Sequence, residues 1–216
     1  MVRRYDDPCG LARALNMVGE RWALLIVREL LLGSKRFSDL RGGLPGISPN
    51  VLSQRLTELA DRGIIEKRQL GPPTSAHAYR LTDLGHELEQ ALMALARWGR
   101  RAQSPGGGDL STDALLLAMR TTADASRDCP RGPYVLVLGN DVVAVHVSDE
   151  GLTMERRLPD QPIATVSADP SVLRAVLFGG RDLHDAVEAG EAAVTGNRKA
   201  ANAFFTLFGR PSLIQR

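Results

Sequence analysis

The chain has 216 residues, 44% of them hydrophobic and 24% charged, the make-up of an ordinary folded globular protein and not of a disordered or fibrous one. No uninterrupted apolar run exceeds six residues, which excludes a bilayer-spanning helix, and the opening MVRRYDDPCGL lacks the apolar core of a secretory signal. Cys9 and Cys129 form neither a metal-ligand spacing nor a disulfide framework, so the expected location is a reducing compartment, the cytoplasm.

The net charge of +2 hides an asymmetry: residues 1–103 hold 16 Lys or Arg against 11 Asp or Glu, and residues 104–216 hold 11 against 14. A basic front beside an acidic back implies two jobs, with an anionic partner on the front. The first helix is expected from near Asp7-Pro8, Asp as cap and Pro in the first turn, to Met17–Gly19. A second runs from Glu20 to Leu32 with Trp22, Leu25, Ile26 and Leu30 along its apolar side, and stops at Gly33. A short third helix begins near Ser38, and Gly42-Gly43 with Pro45-Gly46 supplies a turn.

The stretch GISPNVLSQRLTELADRG, 46–63, reads as the next helix. Ser48 is its N-cap and Pro49 its first residue, where a missing N–H costs nothing. Leu52, Leu56 and Leu59 form the buried stripe, and Gly63 supplies the left-handed stop. At about 100° per residue, Asn50, Ser53, Gln54 and Thr57 fall on the opposite face. A solvated helix face is normally rich in Glu and Lys. This one carries amides and hydroxyls, with no acid before Glu58, which leaves the positive end of the helix dipole open to an anion such as phosphate.

IIEKRQL (64–70) and HAYRLT (77–82) alternate as strands around the loop GPPTSA, whose prolines keep it out of any sheet. A long helix follows from Thr82 to about Arg101. Its stripe of Leu84, Leu88, Leu92, Leu95 and Trp98 suits either a partner chain or its own domain. Short helix, turn, helix with a polar outer face, then a hairpin is the order of a winged helix-turn-helix. In that geometry the second helix enters the major groove and the hairpin, carrying Lys67 and Arg68, reaches the sugar-phosphate backbone.

The run CGLARALNMVGERWALLIVRELLLGSKRFSDL, then GISPNVLSQRLTELADRGIIEKR, PP, YRLTDLG and WG, resembles the HxlR family of bacterial transcriptional regulators over nearly all of residues 7–101. The resemblance implies a homodimer on operator DNA, paired through the first and last helices of the domain. It further implies that Ser48, Asn50, Ser53 and Gln54 approach bases or their phosphates, with Arg36 close to the backbone at the start of the motif's first helix. Arg55, nearer the leucine side, takes a structural or phosphate role. The segment PPTSAHAYRLT makes the wing slightly longer than the family's compact form.

Cys9 falls at the second position of the first helix if Asp7 caps it. The helix dipole there, with Arg3 and Arg4 close by, favours thiolate, and regulators that this one resembles sense oxidants or aldehydes through a cysteine at this place. Against that stand Asp6 and Asp7 and the habit of cysteine to act as a small buried apolar group.

AQSPGGGDLST (102–112) marks a boundary, giving domains 1–103 and 111–216 around a Gly-rich linker at 104–110. Beyond it comes a helix over ALLLAMRTTADA, then the hairpin YVLVL–GND–VVAVHV. LTMERRL and ATVSA are expected as further antiparallel strands, DPSVLRAVLFG and DLHDAVEAG as helices, and EAAVTG as a strand. A last helix, Lys199 to Phe208, is ended by Gly209 and Pro211. The segment FGG…DLHDAVEAGEAAVTGNRKAANAFFTLF resembles the sterol-carrier-protein-like fold, in which a strand ending in a Gly-Asn turn leads into a closing helix beside an apolar tunnel. That implies an α+β unit with an antiparallel sheet, and makes Phe204, Phe205 and Phe208 candidates to line a pocket for a hydrophobic small-molecule effector. The competing reading is that they fill the core.

No P-loop, G-x-S-x-G, H-E-x-x-H or cysteine-histidine cluster is present, and the four histidines are scattered, so neither an enzyme nor a cofactor is expected. The alternative to a DNA-binding regulator is a carrier of hydrophobic ligands whose winged domain makes protein contacts.

Overall fold

The computed structural model describes residues 5–69, 77–102 and 110–208. The loop GPPTSA, the linker through residue 109, Arg3, Arg4, Gly209 and Pro211 lie outside the described residues. The chain divides into two compact units, Met1–Leu92 and Met93–Arg216.

The first unit opens with α1 (Gly10–Val18) and α2 (Ala23–Leu30). Both start later than the sequence implies. Asp7 Oδ1 accepts the Cys9 N–H at 2.8 Å, so the chain turns before helix begins and Cys9 becomes the N-cap, not a residue of the first turn. Trp22 takes a left-handed φ of 80°, which breaks the helix expected from Glu20 and starts it at Ala23. A two-residue strand, β1 (Lys35–Arg36), leads into α3 (Phe37–Gly43), and α4 (Pro49–Asp61) follows a turn at Gly46, φ 88°. Strands β2 (Ile65–Gln69) and β3 (His77–Leu81) pair antiparallel, and β1 adds to the free edge of β3, so the expected two-stranded wing is a three-stranded sheet of order β1-β3-β2. Two residues are too few to show a period of two, which is why β1 is silent in the sequence. The helix α5 (Asp83–Gly99) follows, with the division between the two units falling within it, after Leu92.

Leu52, Leu56 and Leu59 of α4 meet Ile26 and Leu30 of α2, Leu40 of α3 and Ile64 in one core. Each such side chain contributes on the order of 1.5–3 kcal/mol by leaving water, so α4 is held by its inner face and leaves its outer face free of structural duty. Beneath the turn, Glu29 is fully buried with Arg28 Nη2 and Lys35 Nζ each 2.7 Å from its carboxylate, and Arg28 also reaches the Gly43 carbonyl.

The second unit holds α6 (Thr112–Thr122), β4 (Gly132–Leu138), β5 (Asp141–Ser148), β6 (Gly151–Glu155), β7 (Ala164–Ala168), α7 (Pro170–Phe178), α8 (Leu183–Glu188), β8 (Ala192–Gly196) and α9 (Arg198–Thr206). The sheet order is β6-β5-β4-β7-β8. It is mixed and not purely antiparallel, because β7 runs parallel to β4. Glu155 at the end of β6 lies level with Ala144 and so with Val135, and β7 begins one residue away at the level of Tyr134. Residues 156–163 therefore cross three strand spacings, about 14 Å, sideways and enter β7 in the same direction. Arg156 pins the start of the crossing, its Nη2 lying 3.1 Å from the buried Asp113 and 3.2 Å from Asp141.

Tyr134, Leu136, Val143, Val145, Val147, Ala164 and Val166 share one sheet face and are buried. α9 packs on that face: the Phe204 ring stacks on Tyr134 with centroids 4.8 Å apart, and Phe205 and Phe208 meet Phe204 edge-on.

Candidate nucleic-acid interface

The outer face of α4 is built by its cap and its leucines. Ser48 Oγ accepts the Val51 N–H at 3.3 Å, Pro49 occupies the first position, and no acid stands in the first turn. With the leucines turned inward, Ser48, Asn50, Ser53, Gln54 and Thr57 are all exposed. Thr57 donates to the Ser53 carbonyl at 3.1 Å, and Gln54 Nε2 donates to Glu58 Oε1 at 2.9 Å. Arg55 points elsewhere. It is largely covered, pairs with Glu58, and reaches Glu20 at 3.4 Å, so it ties α4 to the turn before α2.

The sheet carries exposed cations of its own. Arg36 pairs with Ala78, and Ala78 with Arg68, so the two arginines stand on one rung and one face. Arg36 also begins α3, its backbone N–H donating to Asp39 Oδ2 at 3.0 Å, and its side chain is exposed. Lys67 lies on the other face of β2, exposed and opposite Tyr79. Arg68 is partly balanced: Glu66 accepts from it at 3.0 Å and from Arg80. The Arg80 hydrogen bond, ahead of the field of Arg68, holds the Glu66 carboxyl below the usual range. Neither Glu66 nor Arg80 stands out in the sequence, where a charged residue on an alternating strand is commonplace; their pairing depends on the strand register.

The other candidate residues belong to other elements. Cys9 is exposed at the N-cap of α1 beside Asp7. Phe204, Phe205 and Phe208 are buried against Tyr134 and one another. Among the described residues, an open concavity of about 470 Å³ lies instead on the opposite sheet face, lined by Pro133, Ala144, His146, Thr153, Met154, Glu155 and Pro159. Among the described residues no group of His, Cys, Asp and Glu is placed to hold a metal ion, and no helix is long and apolar enough to cross a membrane.

Two helices joined by a tight turn, the second uncharged on its outer face and followed by a paired wing, define a winged helix-turn-helix. The HxlR-like helix-turn-helix family matches residues 17–106. An uncharacterised HTH-type transcriptional regulator of Mycobacterium tuberculosis is 42% identical over 89 residues, 41% of this chain and 56% of the relative. The uncharacterised HTH-type transcriptional regulator YvaP of Bacillus subtilis is 41% identical over 87 residues, 40% of this chain and 80% of the relative. Among solved structures, the redox regulator HypR in its oxidised form is 26% identical and covers 44% of this chain and 99% of its own, with a TM-score of 0.42. The chain thus spans 56% of the length of the first of these relatives. It belongs to the HxlR-like helix-turn-helix family.

Proposed function

We propose that the chain is a DNA-binding transcriptional regulator that seats α4 in the major groove and acts as a homodimer on a pseudo-palindromic operator. The observation that carries this reading is the exposed, acid-free face of Ser48, Asn50, Ser53 and Gln54, with Arg36, Lys67 and Arg68 on the adjoining sheet. Amides suit adenine edges, hydroxyls suit either base or phosphate, and cations replace condensed counterions along the backbone. Leu11 and Leu15 on α1, and Leu84, Leu95 and Trp98 on α5, are exposed, and apolar faces of this kind serve the dimer. A regulator of this kind works where the chromosome is, in the cytoplasm. The deciding experiment is binding to the upstream intergenic DNA of its own gene, titrated in salt with excess unrelated duplex. Nanomolar binding that survives the competitor supports the regulator. Weak binding that vanishes at modest salt is phosphate attraction alone, and moves the hydrophobe-carrier reading forward.

For the second unit we propose a sterol-carrier-like module that receives a small apolar effector. The turn at Gly196, φ 82°, followed by Asn197 capping α9, supports the fold reading. The concavity between the sheet and Pro159 offers the effector a mostly apolar seat, with His146 and Glu155 at its polar side. Titration of the full chain with small apolar amines and acids, followed by melting temperature, tests it. An unmoved midpoint across both sets sinks the effector.

A further inference from the structure

Gln54 is the longest amide on the exposed face of α4, and an amide alone is ambiguous, since it can present its oxygen or its nitrogen to a base. Here the ambiguity is removed. Glu58, one turn further on, has a carboxylate that only accepts hydrogen bonds, so Gln54 must turn its NH2 toward it, as the 2.9 Å contact from Nε2 to Oε1 records. The other Glu58 oxygen is held by Arg55, and Arg55 is held in turn by Glu20 at 3.4 Å. Arg55 and Glu58 are both mostly covered, with 14% and 18% of their side chains exposed, so salt screens this pair less than an exposed one. Glu20–Arg55–Glu58–Gln54 is therefore a continuous chain from the turn before α2 to the outer face of the helix.

Resting on the reading of α4 as the groove-facing helix, we infer that Glu58 is a specificity-determining positioning residue: it fixes the Gln54 amide so that Oε1 and the second N–H of Nε2 face the DNA. That pair matches adenine, whose N6 donates and whose N7 accepts in the major groove. It mismatches guanine, whose O6 and N7 both accept. The wild-type operator then carries an adenine at one position of each half-site, preferred over guanine by on the order of 10-fold or more, the span of one bidentate contact. Replacing Glu58 by Gln, which both donates and accepts, frees the amide to flip and admits guanine.

The experiment is sequencing of random duplexes retained by the full chain, for the wild type and for Glu58→Gln, Gln54→Ala and the double variant. Each protein is also melted, and its salt slope measured on the selected operator. The expected result is a drop of about 5- to 10-fold in adenine-over-guanine preference at one position for Glu58→Gln. Gln54→Ala loses the preference at the same position, the double variant goes no further, and the salt slope is unchanged. A purely structural Glu58 would lower the melting temperature and weaken all duplexes together, leaving the preference intact, and that result overturns the inference. So does a Gln54→Ala profile equal to the wild type on a genuine operator. A wild-type chain that selects no sequence at all defeats the groove reading itself, and the inference with it. If Glu58→Gln does not fold, Glu58→Asp keeps a charge for Arg55 while withdrawing it from Gln54. Relaxed preference there supports the inference, and wild-type preference overturns it.

Discussion

Arg36 and Arg68 stand on the same rung of the winged sheet, one on each side of Ala78. Two strand spacings separate their backbones, about 10 Å, close enough for both guanidiniums to serve one stretch of sugar-phosphate backbone if the proposed DNA contact is made. They are not equal, because Glu66 balances part of the Arg68 charge while Arg36 is exposed at the start of α3. Arg36→Ala and Lys67→Ala should each weaken specific and unrelated duplexes alike and lower the log–log salt slope by about 1. Arg68→Ala should lower it less. Asn50→Ala differs in kind: it should cost about 1–3 kcal/mol on the operator alone and relax one base position. Salt-titrated binding on both duplexes separates the two classes. Equal loss on both duplexes for Asn50→Ala would remove it from the base-reading face.

Glu29 is a stability hinge packed against the end of α3. Its carboxylate is buried between Arg28 and Lys35, and a Cβ on Gly43 would lie 2.1 Å from Oε2. Glu29→Ala leaves the two cations without their acid and should cost about 3–5 kcal/mol. Gly43→Ala should destabilise by pushing the carboxylate aside. In the Glu29→Ala background the Gly43 change should be nearly free, because the atom it strikes is gone. Urea denaturation of the four proteins forms the cycle. Additive losses would mean that Gly43 matters for its backbone and not for Glu29.

The sequence shows α4 almost completely, since cap, proline, leucine stripe and terminal glycine all agree, and with it the exposed residues at 48, 50, 53 and 54. What it hides depends on register or on one unusual backbone angle. Trp22 gives no sign in its own identity that it will be left-handed, so the start of α2 is misplaced by three residues. The Asp7 side chain does cap, but it caps a turn and not the helix, which moves Cys9 out of the first turn. Arg36 is recognisable by its place in the motif, yet its alignment with Arg68 across Ala78 needs the third strand. Helical phase already sets Arg55 nearer the leucines than Gln54, but that Glu20 and Glu58 hold it there depends on a contact between α4 and the turn before α2 that the sequence does not show. The parallel pairing of β7 follows from a crossing segment, residues 156–163, that carries the chain sideways without reversing it, and not from either strand's composition.

The exposed apolar side chains of α1 and α5 carry the prediction about assembly. Leu11 is 68% and Trp98 73% exposed, so Leu11→Glu and Trp98→Glu should change folding stability by little, about 0.5 kcal/mol or less. If the proposed dimer forms through these faces, each should shift sedimentation toward the monomer at micromolar concentration, and each should weaken operator binding far more than half-site binding. A sedimentation profile equal to the wild type for both would remove these faces from the proposed dimer.

The two cysteines should behave as opposites. Cys9 is exposed, whereas Cys129 is buried with Sγ 3.5 Å from Tyr134 Oη, which itself donates to the Pro130 carbonyl at 2.9 Å. Burial pushes the Cys129 thiol up from its ordinary value of 9.0 and the Tyr134 phenol up from 10.0. In the folded state both therefore stay protonated at pH values where the unfolded chain would ionise. The stability tied to that protonation is fully present below pH about 9 and is lost as pH rises beyond it, because only the unfolded state gains by ionising. A maleimide at neutral pH should label one thiol per native chain and two in denaturant, with the native label absent from Cys9→Ser. Denaturation midpoints should fall between pH 9 and 11, and fall less in Tyr134→Phe. Rapid native labelling of Cys129, or an alkaline loss untouched by Tyr134→Phe, would mean that this pair does not keep its protons as its burial requires.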